Sequence, residues 1–448
     1  MSTHRTAAEI ADDVRAGRLT PEAAVGAALD RIARHDAALG AFQVVRGERA
    51  LAEARAVAQR PDLADLPLAG VPVAVKDNVP VAGEPMRAGS LASPETPQAA
   101  DHPVVRRLRD AGAVVVGLTR TPELCVFGAT DSAFGITRNP WAPDRTAGGS
   151  SGGTAAAVAA GLVPVGHGND GMGSIRIPAA CCGLVGIKPG TGVVPAGIGA
   201  NDWYGMAENG PLTTTVRDAA LLLSVMAGRP DLADVDEPAT ALRVAVSTTS
   251  PVTGARRDRQ HVAAVERIAG QLAAQGHQVR RDDPPYPANP LPVLARWVGG
   301  ASYDADGLDR SRLDPAVRGH AAWGDVVRRR GLVRPEQRAA FRSRLADFFA
   351  RTDVLVTPAL ATPPIAAARW GRRGWPRVFA ANVRYAPYAA PWNFAGYPAM
   401  TVPAGIHPRT GTPLAVQLVG PDGAEPLLLA LAAQLERLAP WPRTAPGY

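Results

Sequence analysis

Lysine is scarce in this chain, and that scarcity draws attention to the two lysines that are kept. Of 48 Lys and Arg residues, only Lys76 and Lys188 are lysines. An arginine stays charged at any accessible pH, whereas a buried lysine can lose its proton and act as a base. Lys76 ends the apolar, strand-like run Pro72–Val75 and precedes a polar turn at Asp77 and Asn78. This position favours a base at the end of a buried strand.

Two glycine-rich segments that contain serine follow Lys76. One is Gly148–Gly153, which holds Ser150 and Ser151, and the other is Gly171–Ser174. The first continues into the alanine-rich stretch 154–160, so we expect it at a helix N-terminus, where backbone N–H groups are unpaired. A lysine base with two serines in glycine turns indicates nucleophilic catalysis.

The first glycine segment also has a second interpretation. Gly149–Gly153 matches G-x-S-x-G, the nucleophile elbow of α/β-hydrolases, with Ser151 as the attacking residue and a downstream histidine such as His407 as the base. That interpretation leaves Lys76 and the second glycine–serine segment without a role. An esterase or lipase of this type stays open as an alternative.

Composition limits the class of protein. A chain of 448 residues, 46% of them hydrophobic, is long enough for one large α/β domain. The three cysteines (Cys125, Cys181 and Cys182) have neither a disulfide framework nor zinc-ligand spacing. The first residues do not match a signal peptide, and no apolar run reaches the roughly 18 residues of a membrane span. We expect a cytoplasmic protein that uses no metal or cofactor and does not bind a membrane.

The net charge of +7 raises the question of an acidic partner. The arginines, however, are dispersed along the chain among acidic residues. The densest basic and aromatic patch, Arg369–Trp375, is more typical of a solvated loop or a substrate rim than of a nucleic-acid site. The sequence therefore predicts no nucleic-acid partner.

Apolar periodicity predicts helices that alternate with strands, which favours helices packed on a mainly parallel or mixed sheet. The predicted helices are Ala23–Ile32, Val104–Ala111, Val216–Ala227 and His261–Ala274, and the predicted strands are Leu66–Val79, Ala113–Leu118, Leu162–Gly166, Leu242–Ser247, Asp353–Pro358 and Ala399–Pro403.

Long, ordered motifs in this chain resemble those of the amidase signature family. The motifs are the lysine segment Leu68–Asn78, the serine–glycine segment Thr137–Trp141 with Gly148–Gly153, and the nucleophile segment Gly173–Ala179 followed by Gly183–Pro189. The resemblance is dense over residues 66–220 and returns at Asp353–Pro358 and Asn393–Gly405.

The resemblance implies a fold and a reaction. The fold is a single large α/β domain over residues 1–448, with a mixed twisted sheet of many strands covered by helices on both faces. Residues 66–220 would form the catalytic core, and residues from about 285 to 390 a variable substrate wall. The reaction is cofactor-independent hydrolysis of a small-molecule carboxylic amide to an acid and an amine, at a linear carbon–nitrogen bond other than a peptide bond. Self-association as a homodimer stays open.

The resemblance also assigns roles to three side chains. Ser174 is the nucleophile, and Ser150, which follows a cis peptide in this family, relays protons to the base Lys76. The physical interpretation agrees, because a serine is a weak nucleophile until a base removes its proton. The backbone N–H groups of Gly171, Met172 and Gly173, with that of Ser174 as a further candidate, would hold the oxyanion.

Supporting residues surround this set. We expect Asp170 and Arg176 to brace the nucleophile turn as an ion pair, with Ser151 beside them, and Lys188 to hydrogen-bond nearby backbone. The family usually has glycine at the position of Met172, and many members have serine or threonine at that of Asn169. A backbone N–H survives at Met172, although a Cβ restricts φ there, and Asn169 would change the hydrogen bonding behind the turn. We therefore expect an altered substrate range and rate and not a different reaction.

Aromatic residues are further candidates, either for the substrate wall or for plain core packing. They are Trp203, Tyr204, Tyr385, Tyr388 and Trp392.

Two further functions stay open at this point. One is a glutaminase subunit of a tRNA-dependent amidotransferase, a role within the same family. The other is a binding protein whose active site is no longer used, although the complete set of Lys76, Ser150 and Ser174 argues against it.

Overall fold

A mixed eleven-stranded sheet runs through the protein, and the computed structural model describes residues 5–235 and 241–448. The first four residues, part of the segment judged not to be a signal peptide, lie outside that range. The strands of the described residues are β1 Phe42–Val45, β2 Pro72–Lys76, β3 Val114–Thr119, β4 Asp131–Ser132, β5 Gly135–Ile136, β6 Arg138–Asn139, β7 Ala142–Thr146, β8 Val165–Asp170, β9 Val185–Lys188, β10 Glu208–Thr213, β11 Arg243–Val246, β12 Gln278–Arg281, β13 Val354–Pro358, β14 Ala399–Ile406 and β15 Pro413–Val419.

The main sheet has the order β1-β3-β2-β8-β10-β9-β14-β15-β13-β11-β12, and β4–β5 and β6–β7 form two small hairpin sheets. Strand β2 lies parallel to β3 and β8, and β11 lies parallel to β12 and β13. The remaining pairs of the main sheet are antiparallel. The predicted α/β fold with a large mixed sheet is confirmed.

Helices pack against this sheet along its length. Those of the described residues are α1 Ala7–Arg15, α2 Pro21–Leu39, α3 Gly47–Ala58, α4 Pro103–Asp110, α5 Gly152–Ala159, α6 Arg176–Cys182, α7 Asp202–Gly205, α8 Val216–Ala227, α9 Arg259–Ala274, α10 Leu291–Asp304, α11 Pro315–Arg329, α12 Pro335–Phe349, α13 Trp375–Tyr385, α14 Ala390–Ala395 and α15 Glu425–Leu438. None of the helices in the described ranges is long and apolar enough to cross a membrane.

Local sequence signals explain several helix ends. Helix α2 begins at Pro21, where the Thr20 side chain accepts a hydrogen bond from the Ala23 N–H, and ends at Gly40 in the left-handed conformation. Helix α8 has the predicted bounds, with Thr215 as its N-cap and Gly228 as its left-handed C-cap.

One strand that carries the site lies further along the chain than predicted. The prediction was Leu162–Gly166, whereas β8 covers Val165–Asp170. Residues 162–164 form the turn that follows α5, and they are buried although they are not in a strand. Burial of an apolar run therefore does not by itself distinguish a packed turn from a strand.

The sheet brings the two halves of the site together. Strands β2 and β8 pair in parallel, with Ala74 opposite Gly166. The carboxyl ends of parallel strands meet at the same edge, where ligand sites form in α/β folds. Lys76 and Asp170, the last residues of the two strands, therefore lie at one edge.

Candidate active site

The Lys76 ammonium group lies between a serine and an asparagine in the interior of the protein. Its Nζ donates hydrogen bonds to Ser150 Oγ at 2.7 Å and to Asn169 Oδ1 at 2.6 Å, and its side chain is fully buried. Asn169 is held in turn by Asn78, whose Oδ1 accepts from Asn169 Nδ2 at 2.7 Å. The side-chain amides of Asn169 and Asn78 thus hold the lysine next to Ser150.

Burial changes the acidity of this lysine. Loss of solvation lowers the pKa of Lys76 from 10.5 to about 8, because water no longer stabilises the ammonium form. With a pKa of that size, roughly one molecule in ten carries a neutral amine at pH 7. A neutral amine 2.7 Å from Ser150 Oγ can accept the hydroxyl proton.

Ser150 sits in a loop that enters the first turn of α5. The peptide bond between Gly149 and Ser150 is cis. The next residue, Ser151, is fully buried, and its Oγ donates to the backbone carbonyl of Asn169 at 3.2 Å while its N–H donates to the backbone carbonyl of Ser174 at 3.1 Å. Ser151 therefore ties the relay loop to the nucleophile turn.

The turn between β8 and α6 presents Ser174. Positive φ in this turn falls on Gly173, at +114°, and not on Met172. A Cβ at Gly173 would lie 2.6 Å from the Ala389 Cβ, so a larger residue does not fit there. A side chain at position 172 is compatible with the turn, which explains how this chain has methionine where glycine is usual.

The Asp170 carboxylate stabilises the same turn through hydrogen bonds to its backbone. It accepts hydrogen bonds from the backbone N–H groups of Gly173 and Ile175, at 2.6 and 3.2 Å, and it pairs with Arg176 at 2.9 Å. Burial opposes ionisation, but the Arg176 guanidinium holds the pKa of Asp170 well below its ordinary value. The predicted Asp170–Arg176 ion pair is present and fully buried.

Arg176 connects the turn to two distant segments. Its guanidinium donates to Asn393 Oδ1 at 2.6 Å and to Gln417 Oε1 at 2.7 Å. Asn393 also donates to Asp170 Oδ1 at 2.8 Å. Our sequence reasoning did not assign roles to these two residues. Asn393 lies in a segment quoted for the family resemblance, whereas nothing in the sequence distinguishes Gln417, which lies in β15 between β13 and β14.

The backbone donors of the turn differ from the predicted set in one place. The Gly173 N–H is engaged by Asp170 Oδ1, so its inclusion among the oxyanion donors is not supported. In the part of the chain that the structure describes, the N–H groups of Gly171, Met172 and Ser174 have no protein acceptor. These three remain available to a ligand at Ser174.

Two cavities open next to Ser174. One, the apolar cavity, is lined almost entirely by apolar side chains. The other, which we call the polar cavity, is lined by apolar and polar side chains together, and residues of 285–390 contribute to both walls. Trp203 lines the polar cavity, as expected of a substrate-wall aromatic, and so does Cys125, to which we gave no role. Three of the other candidate aromatics follow the second expectation, since they are buried in the core and line neither cavity: Tyr385, Tyr388 and Trp392.

The remaining sequence candidates lie away from the reacting groups. Lys188 is fully buried, and its Nζ donates to the backbone carbonyl of Pro189 at 2.6 Å, the backbone contact we expected. Cys181 and Cys182 are buried packing residues. In the patch Arg369–Trp375, the ring of Trp370 packs into the core.

The fold and these features define an amide hydrolase that needs no cofactor. The chain belongs to the amidase family, whose model matches residues 23–429. The AmiB2 protein of Mycobacterium tuberculosis is 42% identical over 443 residues, covering 96% of this chain and 95% of that protein. The acylamidase of Rhodococcus erythropolis is 33% identical over 477 residues, covering 99% and 97%.

A solved structure agrees with these relatives. The chain superposes on 6-aminohexanoate cyclic dimer hydrolase in complex with its substrate, with a TM-score of 0.90, 28% identity and coverage of 99% of this chain and 98% of that chain. The resemblance found in the sequence motifs is therefore confirmed over nearly the whole chain. The α/β-hydrolase alternative, with Ser151 as nucleophile, is not supported, because Ser151 is buried and bonded to backbone and His407 lies 3.4 Å from Asp258 instead.

Proposed function

We propose that this amidase cleaves linear, non-peptide amides of small molecules through an acyl-enzyme on Ser174. The observation that carries the proposal is the 2.7 Å hydrogen bond between the buried Lys76 and Ser150, in a loop bonded to the nucleophile turn. Lys76 is the base, Ser150 is the relay and Ser174 is the nucleophile. We also propose that the enzyme works in the cytoplasm, a compartment compatible with its free, buried cysteines.

The first half of the reaction forms the acyl-enzyme. Neutral Lys76 takes a proton from Ser150, which takes one from Ser174, and Ser174 Oγ attacks the amide carbonyl carbon. The N–H groups of Gly171, Met172 and Ser174 stabilise the oxyanion. When the tetrahedral intermediate collapses, Ser150 returns the proton to the leaving nitrogen, and the carbon–nitrogen bond breaks.

The second half releases the acid. A water molecule takes the place of the departed amine and loses a proton to the same Ser150–Lys76 pair. The hydroxide attacks the ester carbonyl of acyl-Ser174, and the returning proton restores the serine hydroxyl. Because one relay serves both halves, removal of Lys76 slows acylation and deacylation together.

Fluorophosphonate labelling with peptide mapping tests this assignment. We expect the wild-type protein to be labelled at Ser174, and the Lys76→Ala variant to be labelled at least about a hundredfold more slowly, because a positioned base contributes on that order. Lys188→Ala, which removes the other lysine of the chain, is the matched control and should keep most of the labelling rate. Labelling at Ser151 that is unaffected by Lys76→Ala would overturn the proposal.

A further inference from the structure

The two cavities beside Ser174 differ in chemistry. The apolar cavity is bounded by side chains that include Phe127, Ile177, Val293, Leu294, Trp297 and Val383. The polar cavity also has apolar side chains in its wall, Leu308 among them, but it adds a set of polar ones: Asn78, Ser150, Asn169, Tyr303, Asp304 and Asp306. Ser174 belongs to both walls, so an amide bound at its Oγ extends one half into each cavity.

The apolar cavity offers nothing to a charged group. None of its lining residues in the described chain is charged. Its one amide side chain, Asn382, is already engaged, because Oδ1 accepts from the Gly128 N–H at 2.6 Å and Nδ2 donates to the Val378 carbonyl at 2.8 Å. A charged or strongly polar group that entered this cavity would lose its hydration without replacement.

The polar cavity contains two acids that have different partners. Asp304 accepts from Trp203 Nε1 at 2.7 Å and from the Ala200 N–H at 2.8 Å. Asp306 lies 2.8 Å from the Arg328 guanidinium. Asp306 is thus paired with a cation, whereas Asp304 accepts only from neutral donors, and this wall supplies hydrogen-bonding atoms that suit a polar group.

The position of Ser150 decides which half of the substrate occupies which cavity. Under the proposed function, Ser150 protonates the leaving nitrogen, and proton transfer requires hydrogen-bond distance. Ser150 lines the polar cavity, and it is not part of the apolar wall. The amine half must therefore lie in the polar cavity, and the acyl half in the apolar cavity.

We infer that this enzyme hydrolyses amides that join an uncharged apolar acyl group to a polar amine. This inference rests on the proposed function and adds to it which half of the amide binds in which cavity. It separates the enzyme from a glutaminase, because the acyl half of glutamine carries both an ammonium and a carboxylate, for which the apolar cavity has no partner.

A pair of isomeric amides tests the direction. N-(2-hydroxyethyl)-2-phenylacetamide has an apolar acyl group and a polar amine, and N-benzyl-3-hydroxypropanamide has the same atoms with the amide reversed. We expect kcat/KM to be at least about tenfold higher for the phenylacetamide, because its phenyl ring is buried in the apolar cavity. Equal rates, or faster cleavage of the reversed isomer, would overturn the direction.

Two leucines provide matched variants. Leu294 lines the apolar cavity and Leu308 the polar one, and both are half-buried against the same core cluster. Leu294→Ala should reduce the ratio of kcat/KM for phenylacetyl over acetyl amides of one amine about threefold or more, since it removes contact with the ring. Leu308→Ala should leave that ratio unchanged and alter instead the preference among amines. The opposite pattern would contradict the assignment of the cavities.

Labelling distinguishes failure of the inference from failure of the proposed function. Wild-type protein that is labelled at Ser174 by fluorophosphonate but does not cleave the phenylacetamide would overturn the substrate class and leave the hydrolase intact. Absence of both labelling and cleavage would overturn the proposed function, and the inference with it.

Discussion

Asn169 Oδ1 accepts a hydrogen bond from Lys76 Nζ at 2.6 Å, which places a neutral amide against the buried lysine. A carboxylate at this place would hold the lysine equally well, but it would stabilise the ammonium form and so disable the base. The amide positions Lys76 without adding a charge. The pKa of Lys76, lowered by burial to about 8, depends on that neutrality.

Replacement of Asn169 by aspartate should move the pH dependence of catalysis. Activity requires the neutral amine, so kcat/KM of the wild type should rise with pH up to about 8. In Asn169→Asp, the negative charge of the new carboxylate stabilises the ammonium form and raises the pKa of Lys76. We expect the acid limb of the pH profile, where kcat/KM rises with pH, to move to higher pH by about one unit or more. At pH 7 this shift corresponds to a roughly tenfold loss of kcat/KM.

Two controls accompany this pH profile. Asn169→Ser keeps a neutral acceptor and should leave the acid limb within about half a unit of the wild type. Burial raises the pKa of the neighbouring Asp77 to about 7. Asp77→Asn therefore tests whether titration of that carboxyl, and not of Lys76, produces the acid limb. A limb that disappears in Asp77→Asn and does not move in Asn169→Asp would contradict the assignment of Lys76 as the base.

Loss of the Asp170 charge should destabilise the protein strongly. Asp170→Asn leaves the Arg176 guanidinium buried without a countercharge, and breaking a buried pair in this way costs about 3–5 kcal/mol. Urea denaturation should show this decrease in the free energy of unfolding, and labelling of Ser174 should slow because the turn loses its acceptor. Asp353→Asn, which weakens the partly exposed pair with Arg243, should have a much smaller effect. Similar losses in the two variants would refute the bracing role.

Met172 should limit the size of the acyl group. It is half-buried and lines the apolar cavity, and its φ is not in the positive range, so Met172→Ala leaves the turn and its N–H in place. We expect this variant to increase kcat/KM for naphthylacetyl relative to acetyl amides of one amine, because the cavity gains volume. Met86→Ala, at a half-buried methionine of the polar cavity, is the matched control and should not change that ratio. An unchanged ratio in Met172→Ala would show that the side chain does not bound the acyl group.

The sequence predicted the reacting residues of the site better than it predicted the residues that hold them in place. Lys76, Ser150 and Ser174 lie in glycine-rich or strand-end motifs, whose local pattern reflects a local geometric requirement. Asn393, in α14, and Gln417, in β15, reach Arg176 through contacts between residues more than 200 positions apart, and such contacts leave no periodic signal near the site.

The same distinction holds for the fold. The bounds of α8 follow from its caps and its apolar spacing, both of which are local. Strand β10, Glu208–Thr213, was not predicted, because it contains Asn209, Gly210 and Pro211, residues that disfavour strands. It forms in register between β8 and β9 because the sheet supplies its partners. Tertiary pairing there overrides the local preference.

The buried lysine should also make stability depend on pH. The pKa of Lys76 is about 8 in the folded protein and 10.5 when unperturbed, so between these values the unfolded chain binds more protons and stability rises with pH. Below pH 8 both states are protonated and the cost of burial is constant. Lys76→Met lacks this titration. From pH 7.5 to pH 10, the free energy of unfolding of the wild type should increase by about 2 kcal/mol relative to the variant.

Urea denaturation at the two pH values measures this difference, and Lys188 provides the comparison. Burial lowers the pKa of Lys188 to about 8 as well, so Lys188→Met should lose a similar pH-dependent gain while Ser174 remains labelled by fluorophosphonate. Lys76→Met should lose both the gain and the labelling. If the wild type and Lys76→Met show the same change in stability with pH, Lys76 keeps its ordinary pKa in the folded protein, and a neutral lysine base near pH 8 is ruled out.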